Sequence, residues 1–176
     1  MDERIRLGVL ISGSGRTLQN FLDLSEEGSL KAEVVKVISS RPQAYGLERA
    51  RKHGVETAVV EKEDHEDTAG FSRAITGELE EADVDLVAMA GFLQFYRVPD
   101  RLKGKVMNIH PALLPSFGGK GYYGDRVHRA VLEYGCKVSG CTVHFADNEY
   151  DNGPIIVQKA VPVREDDDHD TLGDRV

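Results

Sequence analysis

The sequence predicts an α/β fold: a mostly parallel twisted sheet with helices on both faces and an antiparallel edge built from the last strands. Three observations carry this expectation. Short apolar runs alternate with segments of helical periodicity through the first two thirds of the chain. A glycine turn, Ser12-Gly13-Ser14-Gly15, follows the first apolar run directly and opens the first helical segment. The last two apolar runs are joined only by a short polar turn ending Asp151-Asn152-Gly153-Pro154, with no room for a crossover helix.

The elements follow in order. Leu7 to Ile11 is the first strand, and Leu18, Phe21, Leu22 and Leu24 then repeat at helical spacing. Val34 to Ile38 forms a second buried strand, followed by Ser39-Ser40-Arg41-Pro42 and a helix from about Tyr45 to His53, which Gly54 ends. Thr57 to Val60 is a third, short strand. A helix over about Thr68 to Glu81 places Phe71, Ile75 and Leu79 on one face, and Leu86 to Ala90 is the fourth strand. Past Val98-Pro99 a short helical turn leads to a fifth strand, Val106 to Ile109. A helix near Val127 to Glu133 precedes strands at Gly140 to Phe145 and Ile155 to Val163, close enough to pair antiparallel. The acidic run Glu165 to Asp170 reads as a solvated loop before a terminal helix. Neither a repeat nor a linker interrupts the chain, so one domain is expected.

Composition narrows the function classes. A chain of 176 residues is long enough to bury a full core within one domain. Its net charge of −8, without a dense basic cluster, argues against binding along nucleic acid but leaves a small anionic substrate open. Cys136 and Cys141 match neither a paired-cysteine zinc site nor a secreted disulfide framework. Met1-Asp2-Glu3-Arg4 has no signal-peptide pattern, and no apolar run approaches membrane-spanning length, so a cytoplasmic protein without membrane contact is expected.

Two stretches carry candidate chemistry. In Met107-Asn108-Ile109-His110-Pro111-Ala112-Leu113-Leu114-Pro115, Asn108 and His110 lie two residues apart on an extended segment and share one side. The prolines end regular pairing, which leaves an amide donor and an imidazole at a strand's carboxyl end, where open α/β sheets place ligands. An oxyanion site and a pair satisfying loop backbone both fit these residues. The loop Gly13-Ser14-Gly15-Arg16-Thr17 opens a helix, so backbone N–H groups and the helix dipole favour an anion there. It is not a P-loop, because no Lys-Ser/Thr pair follows. The third glycine of the dinucleotide fingerprint is replaced by Leu18, so a monophosphate fits better than a dinucleotide. Asp151 stands among turn formers, where a turn role competes with a catalytic one. His53, His65 and His169 lie in polar stretches and read as surface residues, and His128 fits either surface or core. His144 alternates with Thr142 in a strand, which favours a packed, hydrogen-bonded ring over a role behind the site.

Together these segments resemble the folate-dependent formyltransferases, and within them the glycinamide ribonucleotide transformylases. The matches run in order through Leu10-Ile11-Ser12-Gly13-Ser14-Gly15, Ala90-Gly91-Phe92, Asn108 to Pro115, and Val143-His144-Phe145 leading to Asp151-Asn152-Gly153-Pro154. The Asn-x-His-Pro-x-Leu-Leu-Pro segment with its downstream aspartate is shared with methionyl-tRNA formyltransferase and formyltetrahydrofolate deformylase. The glycine loop at the start of the chain favours the purine enzyme. The resemblance implies a single Rossmann-like formyltransferase domain over residues 1–176 that stops within its C-terminal helix.

It further implies catalysis by Asn108, His110 and Asp151, phosphate binding around Gly13, Gly15, Arg16 and Thr17, and a folate pocket. That pocket would be lined by Leu93, Gln94, Phe95, Tyr96, Asn108, Asp147, Asn148, Glu149, Tyr150 and Asp151. Departures from the family pattern are Arg16-Thr17 in place of Ser-Asn, the loss near Thr68 of an arginine that contacts the folate tail, and a long Gly118–Gly124 loop that reads as a mobile lid. The implied reaction moves a formyl group from 10-formyltetrahydrofolate, as co-substrate, to the amine of glycinamide ribonucleotide, with no metal and no covalent enzyme intermediate. The expected partners are small molecules alone, and the expected assembly is a monomer or homodimer. Asn108 and a charged His110 would stabilise the tetrahedral oxyanion, with Asp151 favouring the imidazolium. The rivals are a deformylase, an amino-sugar formyltransferase and a non-catalytic phosphate-binding α/β domain.

Overall fold

The computed structural model describes residues 4–176, which fall into two compact units divided after Val106. In the first, strands β1 (Ile5–Ile11), β2 (Ala32–Ser39), β3 (Glu56–Val59) and β4 (Leu86–Met89) form a parallel sheet in the order β3-β2-β1-β4. Helices α1 (Arg16–Glu26), α2 (Tyr45–Lys52) and α3 (Thr68–Glu81) connect them. All seven expected elements of this unit are present within a few residues of their expected ends. Short 3₁₀ turns follow at Lys62–Asp64, which has no expected counterpart, and at Asp100–Leu102, where a helical turn is expected.

Side-chain alternation explains the layering. Leu7, Val9 and Ile11 of β1 share a buried cluster with Leu18 and Leu22 of α1 and Leu47 and Ala50 of α2. The intervening Gly8 faces α3: a Cβ there would stand 2.6 Å from Leu79 Cδ2, so the missing side chain lets the helix approach. Phe71, Ile75 and Leu79 of α3 are fully buried, on the face their spacing predicts. Lys36 is also buried, an unexpected charge in a strand core. Its Nζ is 2.5 Å from Glu56 and 2.7 Å from Glu78. Burial alone would lower the Lys36 ammonium pKa, but the two carboxylates raise it above its ordinary value, so the charge is retained.

The second unit is built differently. Strands β5 (Val106–His110), β6 (Val138–Phe145) and β7 (Ile155–Pro162) pair antiparallel in the order β5-β6-β7. Helices α4 (Asp125–Tyr134) and α5 (His169–Arg175) bury Val127, Val131 and Leu172 with Ala112. The expected antiparallel edge is therefore present. The acidic run before α5 is more than a solvated loop. Asp168 caps the helix, accepting from the Asp170 and Thr171 N–H groups, and Asp167 accepts both arms of the Arg175 guanidinium at 2.6 Å. His128 is buried, which settles its open placement toward the core.

The β6–β7 connection is the tightest point of this unit. Phe145 donates its N–H to the Pro154 carbonyl, and Gly153 is pressed against the strand so closely that a Cβ would fall 1.7 Å from the Phe145 oxygen. No side chain fits there without moving backbone. Gly153→Ala is expected to cost at least about 1–3 kcal/mol of stability, the scale of forced overpacking, as read by urea unfolding. A loss within about 0.5 kcal/mol, the range of neutral surface changes, would show that the turn is not constrained in this way.

Candidate active site

The register of β5 on β6 builds the site in the second unit. Asn108 lies directly opposite His144, and His110 opposite Thr142, so one face of this strand pair carries an amide, two imidazoles and a hydroxyl. The chain past β5 is held by side chains because Pro111 and Pro115 cannot donate. Thr142 Oγ1 donates to the Ala112 carbonyl at 2.6 Å and accepts from the Leu114 N–H at 3.0 Å and from Gln158 Nε2 at 2.9 Å. That exhausts a hydroxyl's capacity. Gln158 Nε2 also donates to the Leu114 carbonyl at 3.0 Å. The end of β5, and His110 with it, is thereby fastened to β6 and, across it, to β7.

Asp151 reaches the same face from the β6–β7 loop. Its backbone is left-handed, with φ of 51°, a conformation aspartate tolerates better than most residues. Its Oδ2 accepts the Gly119 N–H at 2.9 Å and lies 3.5 Å from His110 Nδ1. Its Oδ1 lies 3.4 Å from Asn108 Nδ2 and 3.7 Å from His144 Nε2. Burial alone would raise the carboxyl pKa, but contact with His144, the Gly119 N–H and the field of the two imidazoles outweigh it and hold Asp151 below its ordinary value. His110 Nε2 donates to the Phe117 carbonyl at 2.8 Å, so each ring nitrogen has a protein group before it. The Gly118–Gly124 segment, expected as a mobile lid, thus starts bound to the site, by the Gly119 N–H and by the oxygen of the preceding Phe117.

His144 is the residue whose part sequence reasoning understated. It is buried and hydrogen-bonded, as its alternation with Thr142 suggests, but its partners lie in the site. Nδ1 donates to the Phe145 carbonyl at 3.0 Å, and Nε2 is 3.1 Å from Asn108 Nδ2. The signal that reveals it is strand register, which its own segment does not carry.

The glycine loop occupies the first unit. Gly15 caps α1 with φ of 70° and no side-chain cap. A Cβ on Gly15 would stand 2.7 Å from Gly46 Cα, so the missing side chain serves the approach of α2. The loop carbonyls are turned away toward α2: Gly13 O accepts the Gly46 N–H and Ser14 O accepts Arg49 Nε. Gly13 itself has open space where a Cβ would stand. With Ser12, Ser14, Ser40, Arg41 and Tyr45 it lines an open cavity of about 760 Å³, whose wall also carries Glu61, Glu63 and Gln94. Ser12 Oγ bonds Ser40 Oγ at 2.6 Å and accepts the Leu93 N–H at 2.9 Å, which ties this wall to the strand ends.

Of the other expected site residues, Arg16 is exposed and Thr17 half-buried at the start of α1, and neither lines the cavity. Gln94, expected in a folate pocket, lines the same cavity as Gly13. Leu93 is exposed and Phe95 half-buried, whereas the Tyr96 side chain is buried in the core with its hydroxyl 2.9 Å from Thr76 Oγ1, so Tyr96 offers a ligand only backbone. Burial raises the Tyr96 phenol pKa, keeping that hydroxyl protonated. Asp147 is occupied with the turn, accepting from the Glu149 N–H, while Asn148, Glu149 and Tyr150 are exposed. Among the described residues no group of three His, Cys, Asp or Glu side chains is arranged to hold a metal ion.

With that geometry in place, the comparisons with known proteins are specific. Residues 5–176 match the family model described as formyl transferase. The chain is 42% identical over 176 residues to the trifunctional purine biosynthetic protein adenosine-3 of Bos taurus, covering 99% of this chain but only 17% of that protein. It is 39% identical to the chloroplastic phosphoribosylglycinamide formyltransferase of Arabidopsis thaliana, covering 98% of this chain and 60% of that one. The chain thus spans less than two thirds of the length of these curated relatives. Among solved structures, glycinamide ribonucleotide transformylase 1 from Symbiobacterium toebii superposes with a TM-score of 0.91 at 44% identity, over 99% of this chain and 81% of that one.

The lowered Asp151 pKa has a consequence for stability. A carboxyl depressed in the folded state stabilises the fold above its unfolded pKa, near 4, and loses that contribution as the pH falls through the folded value. Asp151→Asn removes it. The stability gap between parent and variant is therefore expected to be widest near neutral pH and to shrink on acidification toward about pH 3. Urea unfolding across that range checks this, and a gap that stayed constant or widened in acid would contradict the assignment.

Proposed function

The chain belongs to the formyl transferase family, and from that membership and the grouping of Asn108, His110 and Asp151 on one strand face we propose that it transfers a formyl group from 10-formyltetrahydrofolate to the amine of glycinamide ribonucleotide. The observation that carries the reading is the carboxylate of Asp151 set between the His110 ring and the Asn108 amide. The relatives named for this reaction support the substrates. The reading assigns the ribonucleotide phosphate to the glycine loop of the first unit and the formyl-transfer chemistry to the trio of the second. A small-molecule enzyme of the cytoplasm, with folate as co-substrate, is the corresponding setting.

The chemistry follows from what the reaction must handle. Attack of the amine on the formyl carbon produces a tetrahedral centre with negative charge on oxygen. Asn108 Nδ2 supplies a donor. His110 supplies a second by exchanging the Phe117 carbonyl on Nε2 for the substrate oxygen, while Nδ1 stays toward Asp151. The attacking amine must lose a proton and the leaving folate nitrogen must gain one, and an imidazole beside a carboxylate serves both needs. Asp151, held ionised, balances the imidazolium through these steps. Much of the rate comes from holding the two substrates in line.

Three experiments test the reading. In an absorbance assay for deformylated folate, product should form only with glycinamide ribonucleotide present; equal release without it would favour a deformylase, and no turnover a binding domain. His110→Asn and Asp151→Asn should each keep substrate binding and lose turnover by at least about a hundredfold, the scale of lost acid–base catalysis. Activity within a few-fold of the parent would remove that residue from the set. For the phosphate, Gly13 is the informative position, because Gly15→Val would damage α1–α2 packing. Gly13→Val should weaken ribonucleotide binding in calorimetry and leave folate binding and the unfolding midpoint unchanged. Unaltered ribonucleotide affinity would place the phosphate elsewhere.

A further inference from the structure

A carboxamide has a donor end and an acceptor end of nearly equal size, and only its hydrogen-bond partners decide which end faces a ligand. Asn108 poses that problem in acute form. An oxyanion needs its NH₂ group, and a half-turn of the amide would present a carbonyl oxygen and repel the developing charge. Asp151 favours the correct end, but its Oδ1 lies 3.4 Å from Nδ2, a long contact. The shorter contact is to His144 Nε2, at 3.1 Å.

The His144 ring is itself oriented. Its Nδ1 donates to the Phe145 carbonyl at 3.0 Å, which places the hydrogen of the neutral ring on Nδ1 and leaves Nε2 as an acceptor. The ring is buried in β6, directly across the strand pair from Asn108. A fixed acceptor at that point takes one Asn108 N–H and is incompatible with the flipped amide, whose oxygen would meet the Nε2 lone pair. We propose that His144 is a positioning residue: by accepting one Asn108 N–H at Nε2 it sets the amide so that its second N–H, loosely held toward Asp151, is the one given to the formyl oxygen. The Phe145 carbonyl is the first link of this chain, the imidazole the second and the amide the third. The inference rests on the formyl-transfer reading above. It does not require His144 to touch substrate.

Substitutions separate the two ring nitrogens. Glutamine places a carboxamide oxygen where Nε2 stands and can accept from Asn108, whereas asparagine reaches only the Nδ1 position. His144→Asn is expected to lower kcat at least about tenfold, less than the roughly 100-fold or more for outright loss of an oxyanion donor because the amide itself remains, with both KM values within about twofold because ground-state binding is untouched. His144→Gln should recover most of that loss. In an Asn108→Ala background, His144→Asn should cost less than about threefold, since residues acting through one group are not additive. A His144→Gln enzyme as impaired as His144→Asn, or a full additive loss in the Asn108→Ala background, would overturn the proposal. A measurement on the unsubstituted protein does not depend on how the variants fold: a nitrogen–nitrogen coupling across the hydrogen bond from Asn108 Nδ2 to His144 Nε2 should be detectable by NMR, and its absence counts against the proposal. The underlying reading fails differently. Asn108→Ala with undiminished turnover would discard the oxyanion role itself, whereas an impaired Asn108→Ala with a harmless His144→Asn would discard only the positioning role.

Discussion

The pairing of β5 with β6 is the constraint on which the candidate site depends. Antiparallel register sets Asn108 against His144 and His110 against Thr142, and so places the amide and the imidazole on the face that Asp151 meets. A slip of one residue would turn Asn108 and His110 to the other face and bring Ile109 into their place. Several features hold the register. Thr142 and Gln158 grip the backbone after β5, where the prolines cannot. The tight return at Gly153 fixes where the β6–β7 loop leaves the sheet and so where Asp151 projects.

Charge then acts on a prepared geometry. Asp151 has few routes to satisfaction in its half-buried position, and all of them lie in the site: the Gly119 N–H, two imidazoles and an amide. A carboxylate so placed stays ionised, because its neighbours together favour the charged form more strongly than burial, the largest single influence, opposes it. Lys36 follows the same rule in the first unit with the opposite sign, its ammonium retained by Glu56 and Glu78. Lys36 is enclosed by the sheet with both its carboxylate partners in place. Asp151 faces groups that can exchange partners, His110 above all, and that difference separates a structural ion pair from a candidate catalytic one.

Much of this was legible in the sequence, and the limits are physical. Helices with a continuous apolar stripe, such as Thr68–Glu81, show their own bounds because the period is local. The Asn108–His110 pair was legible from alternation alone, and the family resemblance supplied Asp151. What stayed hidden depends on pairs distant in sequence. His144 looks like an ordinary core histidine until its partner strand is in register. Gly13 and Gly15 look equivalent in the motif, yet one borders open space and the other is closed by Gly46, a distinction made by α2 rather than by the loop. Tyr96 is pocket lining only by the resemblance, and the burial of its ring, with the hydroxyl on Thr76, rests on a contact its own segment does not carry. The acidic run before α5 reads as solvated because its composition is, while the Asp168 cap and the Asp167–Arg175 pair need the helix to exist first.

The Phe117 carbonyl bears on how such a site can rest and act. An imidazole with a buried, unsatisfied N–H would cost free energy, so in the absence of substrate the protein must supply an acceptor. Phe117 does so from a left-handed backbone conformation, with φ of 51°, which a bulky side chain adopts only when its surroundings hold it there. Gly119, two residues on, holds Asp151 by its N–H. The segment that satisfies the site at rest therefore presents a carbonyl to the donor and an N–H to the carboxylate. In the proposed reaction a tetrahedral intermediate offers an anionic oxygen to the same His110 donor. Exchange of the Phe117 carbonyl for that oxygen would keep the His110 N–H paired, while Asp151 keeps its Gly119 N–H.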